Sequence, residues 1–333
     1  MQYLITGAAG FIGSSLCYKL AKEGNKIIAI DNFSSYYDIG LKNTRVKELL
    51  EPLNVDVINL DITDDLKFDN LVSKSKPDVV INLAAQAGVR LPVNETDKYV
   101  NSNLVGFSNV LRSTVNNNVP FFLYASSSSV YGDKAAIPYI ESEQNLHPTS
   151  FYGATKLANE LLTPTLIQNS STAARGLRFF TVYGPWGRPD MAYFRMIANV
   201  ISGAEFNFFG DGSVERDFTF VDDAVNSVMA LSTELQKRKS GYSDVVNLGG
   251  GRPLSMNYLL ETVSSISKNE VKFNRLKSNT NDAKKTMSDS KYIESLIGSK
   301  PSTKLEDGIA KTIDWALRKD ISSNLNSWVK SVQ

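Results

Sequence analysis

The first half of the chain alternates short apolar runs, rich in β-branched residues, with longer stretches whose apolar positions recur at helical spacing. Strands that alternate with helices are typical of a parallel sheet covered on both faces, so we expect an α/β fold with a doubly wound parallel sheet. Six runs are predicted as strands: Gln2–Thr6, Lys26–Asp31, Val55–Leu60, Val79–Leu83, Pro120–Ser126 and Ala174–Phe179. The helices predicted between them are Phe11–Glu23, Leu41–Leu50, about Thr96–Asn117 and about Tyr152–Asn169.

The pattern loosens after about residue 180, where Gly- and Pro-rich connections separate shorter elements. A helix is predicted near Phe194–Gly203, and a strand at Val245–Leu248 precedes a helix at Met256–Ser267. Pro164 should kink or end the predicted Tyr152 helix near Thr163, because proline lacks the backbone N–H that a helix interior needs.

These patterns divide the chain into a nucleotide-binding domain and a smaller C-terminal α/β substrate cap. We expect the nucleotide-binding domain to cover residues 1–178 and to be completed by about 219–250. The cap is expected to comprise 179–218 and 251–333.

The composition narrows the possible chemistry. The 333 residues include 36 Lys or Arg and 35 Asp or Glu, so the net charge of +1 lacks the basic excess of most nucleic-acid-binding proteins. Cys17 and His147 are the only residues of their kinds, which excludes an intrachain disulfide and Cys/His metal sites. No run approaches the length of a membrane span, and the chain enters its first strand without a leader-like segment. We expect a cytoplasmic protein with no metal and no nucleic-acid or membrane partner.

A glycine-rich segment, Gly7-Ala8-Ala9-Gly10-Phe11-Ile12-Gly13, joins the first strand to the first helix. Glycines at these positions permit a tight turn and let backbone N–H groups approach a pyrophosphate at the helix N-terminus. Asp31 ends the next strand, where a carboxylate accepts hydrogen bonds from ribose hydroxyls and favours NAD over NADP. Asp61 ends the third strand and either reaches the adenine or caps a turn; spacing leaves both open.

Tyr152 and Lys156 are four residues apart and therefore share one face of a predicted helix. A phenol is a weak base at neutral pH, but a neighbouring ammonium and the positive nicotinamide of NAD both favour its phenolate. Such a pair can move a proton on and off a substrate hydroxyl. The run Ser126-Ser127-Ser128-Ser129 ends the fifth strand at the carboxyl edge of the sheet, where one hydroxyl could bridge Tyr152 and the substrate.

These residues together resemble the extended short-chain dehydrogenase/reductase family, whose nucleotide-binding domain is of the Rossmann type, and within it the nucleotide-sugar 4-epimerases. The resemblance covers nearly the whole chain, and it implies a homodimer formed through the Tyr152 helix and the long helix before it. It also implies a catalytic triad of Ser127, Tyr152 and Lys156, with Ser128 and Ser129 as alternatives for the serine. The residues expected to bind NAD are Gly7, Gly10, Phe11, Ile12, Gly13, Asp31, Asn32, Asp61, Ile62, Leu83, Ala84, Ala85, Gln86, Asn103, Tyr152 and Lys156.

The segment from Arg178 to Ala192 is similar to that of UDP-glucuronate 4-epimerases, in which Thr181 stands where neutral-sugar epimerases tend to have asparagine. Arg188 offers a planar donor fork for a sugar carboxylate, and Thr181 adds a hydroxyl donor. The alternative for Arg188 is that it only anchors its loop. The expected substrate-binding residues are Arg90, Ser127, Ser128, Ser129, Tyr152, Thr181, Arg188 and Arg216, of which Arg216 would contact the diphosphate.

The resemblance implies that UDP-glucuronate and UDP-galacturonate are interconverted through a 4-keto sugar, with Tyr152 as base and then acid and with no net redox change. A 4-keto hexuronate is a β-keto acid, so the site must prevent loss of CO2, and Thr181 and Arg188 are the residues expected to do so. Three alternatives remain at this stage: a UDP-glucuronate decarboxylase, a 4-epimerase of a neutral or N-acetylated UDP-hexose, and a non-catalytic NAD-binding regulator.

Overall fold

The computed structural model describes residues 1–88, 92–277 and 283–332. The strands alternate with helices along the chain, most regularly in its first half. The strands are β1 (Gln2–Thr6), β2 (Lys26–Asp31), β3 (Val57–Asn59), β4 (Val79–Asn82), β5 (Phe121–Ser127), β6 (Ala173–Phe179), β7 (Thr181–Tyr183), β8 (Asn207–Phe209), β9 (Glu215–Phe220), β10 (Ser243–Leu248), β11 (Pro253–Ser255) and β12 (Asn274–Leu276).

In the described residues, the central sheet has seven parallel strands in the order β10-β6-β5-β4-β1-β2-β3. The predicted doubly wound α/β fold is confirmed, with one strand more than the six predicted in the first half. The additional strand is β10, which pairs with β6 at the edge of the sheet. A three-stranded sheet, β11-β9-β7, and a two-stranded sheet, β12-β8, belong to the second half of the chain.

Helices cover both faces of the central sheet. Alternate strand residues enter two separate clusters, with Ile5 and Leu123 on one face and Leu4 and Phe122 on the other. This two-sided burial explains why the strands read as nearly continuous apolar runs. The helices are α1 (Phe11–Lys22), α2 (Ile39–Arg45), α3 (Asp65–Ser75), α4 (Thr96–Tyr99), α5 (Phe107–Asn116), α6 (Phe151–Ile167), α7 (Ala192–Ser202), α8 (Val221–Leu235), α9 (Met256–Ser267), α10 (Lys291–Ile297), α11 (Leu305–Ala316), α12 (Lys319–Ser322) and α13 (Leu325–Lys330).

Two of the predicted helices are interrupted by a change in winding. Helix α2 passes into a π-helical segment at Val46–Leu50, and another π-helical segment, Val100–Gly106, joins α4 to α5. The third strand is shorter than predicted because Asn54 is left-handed and the Val55 amide bonds back to Leu50, which places both residues in a turn.

Helix α6 does not end near Thr163, so the expectation that Pro164 ends the helix there is wrong. The helix runs to Ile167, and the carbonyl of Pro164 accepts a hydrogen bond from the Gln168 amide at 3.1 Å. Proline lacks the N–H donor but keeps its carbonyl as an acceptor. Because Pro164 lies in the last turn of α6, the remaining backbone hydrogen bonds are enough to continue the helix to Ile167.

Candidate active site

Parallel pairing places the carboxyl ends of the central strands along one edge of the sheet, where ligands bind in open α/β folds. The predicted site segments follow these strands directly: the glycine turn after β1, Asp31 at the end of β2, Leu83–Gln86 after β4, Ser127 at the end of β5, and Thr181 just after β6. The topology therefore gathers at one edge residues that are far apart in sequence.

The glycine turn between β1 and α1 leaves no room for side chains. Gly7 is left-handed, with φ of +72°, and a Cβ there would lie 2.8 Å from the Ala84 nitrogen. A Cβ on Gly13 would lie 2.1 Å from the Gly7 carbonyl oxygen. The turn thus packs on the segment after β4, and the amides of Phe11, Ile12 and Gly13 belong to the first helical turn, whose N–H groups lack intrahelical acceptors.

Asp31 is buried at the end of β2 and is held by several donors. Its Oδ2 accepts from the Ala9 amide at 3.1 Å, and its Oδ1 accepts from the Phe33 amide at 2.8 Å and from Lys42 Nζ at 3.2 Å. A carboxylate fixed in this way keeps lone pairs directed for ribose hydroxyls. Lys42 was not identified from the sequence, because a lysine in a polar helical stretch usually indicates a solvated face.

Asp61 joins Asn32 at the neighbouring strand end. The Asn32 amide donates to Asp61 Oδ2 at 2.7 Å, while Asp61 Oδ1 accepts from the amide and hydroxyl of Thr63 at 2.8 and 2.7 Å. Partial burial opposes ionisation, but these hydrogen bonds outweigh it and lower the pKa of Asp61. Asp61 therefore caps a turn in this structure, which was one of its two expected roles. Ile62 beside it is buried, and Gly106 packs on its side chain.

The segment after β4 is fixed by Thr6 and Asn103. The Thr6 hydroxyl donates to Asn82 Oδ1 at 2.5 Å and accepts from the Ala84 amide at 3.1 Å. Asn103 Oδ1 accepts from the Gln86 amide at 2.8 Å, and its Nδ2 donates to the Gln86 carbonyl at 3.2 Å and to the Thr155 hydroxyl at 3.0 Å. Asn103 thus ties Leu83–Gln86, which includes Ala85, to helix α6.

Tyr152, Lys156 and Ser127 come together where β5 meets α6. Lys156 Nζ lies 5.7 Å from the centre of the Tyr152 ring and donates to the Ala125 carbonyl at 2.8 Å. The Ser127 hydroxyl reaches the Tyr152 phenol. Ser126 is directed away, since it donates to Glu160 Oε1 at 2.5 Å. Ser128 is half-buried, and Ser129 accepts from the Ser127 hydroxyl at 3.1 Å.

The electrostatic environment sets the protonation of this group. Burial raises the pKa of Tyr152 above its ordinary value, although the charge of Arg188 and the interaction with the Ser127 hydroxyl both lower it. Burial lowers the pKa of Lys156 to about 8. The chain alone therefore keeps the phenol protonated at neutral pH, and a further positive charge is needed to release its proton.

Arg188 forms a two-point ion pair with Asp190, and its charge lowers the pKa of the Tyr152 phenol. Its Nε and Nη2 donate to the Asp190 oxygens at 3.0 and 2.6 Å, and the Tyr36 hydroxyl donates to Asp190 at 3.3 Å. Burial opposes the charge of Arg188, but Asp190 outweighs it and raises the arginine pKa. The pair uses one edge of the guanidinium, and no described residue accepts a hydrogen bond from Nη1, so within the described residues the other edge is free for another carboxylate.

The other predicted substrate residues are Thr181, Arg216 and Arg90. Thr181 is half-buried at the first position of β7. Arg216 lies on β9, and its Nη1 donates to the carbonyls of Glu215 and Ala283 at 2.9 and 2.7 Å. Arg90 lies outside the described residues.

The glycine turn, Asp31 and the Tyr152–Lys156 pair fit a dinucleotide. The strongest observation is that a Cβ on Gly7 or Gly13 would collide with backbone, as a cradle for a pyrophosphate requires. In the described ranges, no group of three or more His, Cys, Asp or Glu side chains is arranged to hold a metal ion, and no helix there is long and apolar enough to cross a bilayer.

Lys156→Met should stabilise the cofactor-free protein at about pH 7 while it abolishes activity. The folded-state pKa lies below the ordinary value of 10.5, so burying the charge costs stability below about pH 8, and the cost disappears as the pH rises to about 10.5. We expect a net gain on the order of 2 kcal/mol near pH 7 after the lost hydrogen bond to Ala125 is subtracted, and almost none near pH 10. Urea unfolding at both pH values measures it, with Lys67→Met on the surface as control. A variant less stable than the parent near pH 7 would contradict the expectation.

The comparisons with known proteins all indicate one family, and the relatives described below align with 95% of this chain. The model of the NAD dependent epimerase/dehydratase family matches residues 3–249. A probable UDP-glucuronate 4-epimerase of Rhizobium meliloti (strain 1021) is 34% identical over 330 residues, which cover 95% of this chain and 96% of that protein. UDP-glucuronate 4-epimerase 2 of Arabidopsis thaliana is 38% identical over 330 residues, covering 95% of this chain and 76% of the relative. The crystal structure of UDP-glucuronic acid 4-epimerase from Bacillus cereus in complex with UDP-glucuronic acid and NAD superposes with a TM-score of 0.86 at 33% identity, covering 95% of this chain and 98% of that one.

Proposed function

The chain belongs to the NAD-dependent epimerase/dehydratase family, and from this we propose that it is an NAD-dependent UDP-glucuronate 4-epimerase, an isomerase that interconverts UDP-glucuronate and UDP-galacturonate. The observation that carries the proposal is the geometry of Arg188, whose Nε and Nη2 are held by Asp190 while Nη1 has no hydrogen-bond partner among the described residues. An oriented guanidinium of this kind suits the carboxylate of an acidic sugar. Relatives and a solved structure named for this reaction support the same substrate.

NAD would be held by the glycine turn at its pyrophosphate, by Asp31 at the adenosine ribose and by Lys156 at the nicotinamide ribose. When bound, NAD supplies a positively charged hydride acceptor that later returns the hydride. The chain's own part in this chemistry is to move a proton at the sugar O4. Tyr152 takes that proton while C4 is oxidised and returns it when C4 is reduced on the opposite face.

The sugar carboxylate would be held by Arg188 through its Nη1 and Nη2 hydrogens, with Thr181 as a second donor. Asp190 holds the other edge of the guanidinium, so the fork is already oriented before the substrate arrives. Arg216 would contact the diphosphate, and Arg90 remains part of the proposed substrate set.

The carboxylate also needs protection during the reaction. A 4-keto uronate loses CO2 when the C5–carboxylate bond stands perpendicular to the ketone plane, because the electrons of that bond then pass into the carbonyl system. We assign to Arg188 and Thr181 the role of keeping this bond near the ketone plane while the sugar turns over.

The test is incubation of the purified protein with UDP-glucuronate, first without and then with added NAD, followed by chromatography and proton NMR of the sugar ring. UDP-galacturonate supports the proposal. A UDP-pentose with CO2 would identify a decarboxylase. Turnover of UDP-glucose or UDP-N-acetylglucosamine alone would show that Arg188 and Thr181 do not recognise a carboxylate.

Arg188→Ala should increase the UDP-pentose by-product relative to UDP-galacturonate by about tenfold, because the carboxylate is no longer held in the ketone plane. Turnover should fall as well. The ratio of the two products is measured by NMR, with Arg112→Ala, an exposed arginine of helix α5 that pairs with Asp65, as control. An unchanged ratio at reduced turnover would reject this role for Arg188.

We also propose the division into a nucleotide-binding domain, residues 1–178 completed by about 219–250, and a substrate cap, residues 179–218 and 251–333. The pairing of β10 with β6 supports the return of the chain to the first domain. Thr181, Arg188 and Arg216 would then belong to the cap.

A homodimer formed through helix α6 is the second part of the proposal. Large apolar side chains on α6 are exposed to solvent, and Val105 is exposed on the segment packed against it. Leu161 is 65% exposed, and Leu162 and Leu166 are 42% and 44% exposed. Such a cluster is typical of a protein–protein contact.

Replacing Leu161 and Leu166 together with glutamate should produce monomers, because the charges would be buried in the contact without partners. Light scattering coupled to size exclusion measures the mass. The matched control is glutamate at Leu66 on α3 and at Leu317 just after α11, both of which are exposed. A monomeric parent, or a double variant that remains dimeric, would contradict the proposed contact.

A further inference from the structure

Arg45, the last residue of α2, is completely buried and anchored on two loops. Its Nε donates to the Trp186 carbonyl at 2.9 Å, and its Nη2 donates to the Gly187 carbonyl at 2.9 Å. Its Nη1 donates to the Ala9 carbonyl at 3.1 Å and to the Tyr37 hydroxyl at 2.6 Å. Four of the five N–H groups of a guanidinium are thus directed to fixed acceptors.

The hydrogen-bond partners of Arg45 in the described part of the chain are all neutral. Burying a cation without a carboxylate costs free energy, and an apolar side chain of similar volume would avoid that cost. Stability alone therefore does not explain an arginine here. What an arginine does provide is a rigid planar fork that fixes several carbonyls at once.

The two loops that Arg45 joins are those on which the proposed reaction depends. Ala9 lies inside the glycine turn, whereas Trp186 and Gly187 directly precede Arg188 in the segment 184–190, which we term the Arg188 loop. Trp186 has a φ of +65°. A left-handed conformation costs free energy in a residue other than glycine and persists only where the surroundings hold it.

We propose that Arg45 is a positioning residue that ties the Arg188 loop to the glycine turn and thereby keeps Arg188 oriented toward the substrate carboxylate. The inference rests on the proposed function, and it assigns Arg45 no contact with the substrate. The orientation of Arg188 then depends on the loop that cradles the cofactor, so the fidelity of the uronate reaction is set partly by a residue outside the site.

The first test is hydrogen–deuterium exchange of the purified, NAD-loaded protein. Arg45→Lys keeps the charge but loses the fork, and we expect amide exchange in residues 184–190 to accelerate by about tenfold because the loop opens locally. Arg175→Lys is the matched control. Arg175 lies on β6 and is as buried as Arg45, but it pairs with Asp244 on β10 and with Glu234 on α8. It should leave exchange in this loop unchanged.

The second test is the product ratio from UDP-glucuronate. Arg45→Lys should raise the UDP-pentose by-product relative to UDP-galacturonate and lower kcat by about tenfold or more, whereas Arg175→Lys should keep the parent ratio even if it lowers the melting temperature. Arg45→Met, which lacks both charge and fork, should give the same increase. A merely structural role would reduce the amount of active protein without changing the ratio.

Unchanged exchange in residues 184–190 would overturn the proposed link, and faster exchange with an unchanged product ratio would overturn its effect on Arg188. A parent protein that does not convert UDP-glucuronate would refute the proposed function instead, and the exchange experiment would still decide whether Arg45 holds the loop.

Discussion

Phenylalanine in place of Tyr152 should lower kcat for epimerisation by about 10²–10⁴-fold, the usual effect of removing a positioned proton donor and acceptor. Lys156 Nζ lies 5.7 Å from the centre of the Tyr152 ring, and Ser127 and the charge of Arg188 both lower the pKa of the phenol. Burial nevertheless keeps its pKa above the ordinary value, so proton release depends on the additional positive charge that comes with NAD. Without the hydroxyl, no remaining side chain of this group can take the O4 proton at neutral pH.

The structure also provides a control for this prediction. Phenylalanine keeps the ring that packs 6.2 Å from Tyr99, so the fold and the NAD content should be unchanged. Tyr99→Phe removes a neighbouring hydroxyl of the same kind and should retain most of the activity. NMR of the products gives kcat, and the absorbance of cofactor released on denaturation gives NAD content. A Tyr152→Phe enzyme within tenfold of the parent would exclude this phenol as the base.

The part of the site that could be predicted from sequence depends on local signals. The bounds of β1, β2 and α9 agree with the prediction, because each begins or ends at a clear change of pattern. The glycine turn could be predicted because glycines of this spacing between a strand and a helix commonly bind the pyrophosphate of a dinucleotide. Tyr152 and Lys156 were identifiable because helical spacing alone places them on one face. The family resemblance, including its epimerase branch, is confirmed by the comparisons.

The charged residues that support the site could not be found in this way. Lys42, Arg45 and Asp190 lie in polar surroundings along the sequence, and polar stretches usually face solvent. Their burial depends on loops that are distant in the chain, such as the approach of Trp186 to Ala9 through Arg45. Strand β10 was predicted, and residues 219–250, which contain it, were expected to complete the nucleotide-binding domain. Its position at the edge of the sheet, next to β6, depends on a pairing that a local pattern does not contain.

The ion pair between Glu160 and Arg178 is another feature that a local sequence pattern does not reveal. It links the two elements that carry the proposed catalytic residues. Arg178 Nε and Nη2 donate to the Glu160 oxygens at 2.9 and 2.7 Å, and both side chains are nearly inaccessible to solvent. Glu160 also accepts from the Ser126 hydroxyl, so the carboxylate joins α6, one turn after Lys156, to the strand end that carries Ser127. Burial opposes the charge of Arg178, but Glu160 outweighs it and raises the arginine pKa.

Glu160→Gln should therefore destabilise the protein by about 3–5 kcal/mol, because Arg178 would remain buried without a counter-charge. Urea unfolding measures this loss, and Lys67→Met, which breaks an ion pair exposed to solvent, should cost far less. The double variant Glu160→Met with Arg178→Met should recover much of the stability, since it buries no charge. It should not recover activity, because Ser126 loses its acceptor and α6 is no longer tied to the strand end at Ser127. A double variant that is as active as the parent would show that the pair stabilises the fold without positioning the triad.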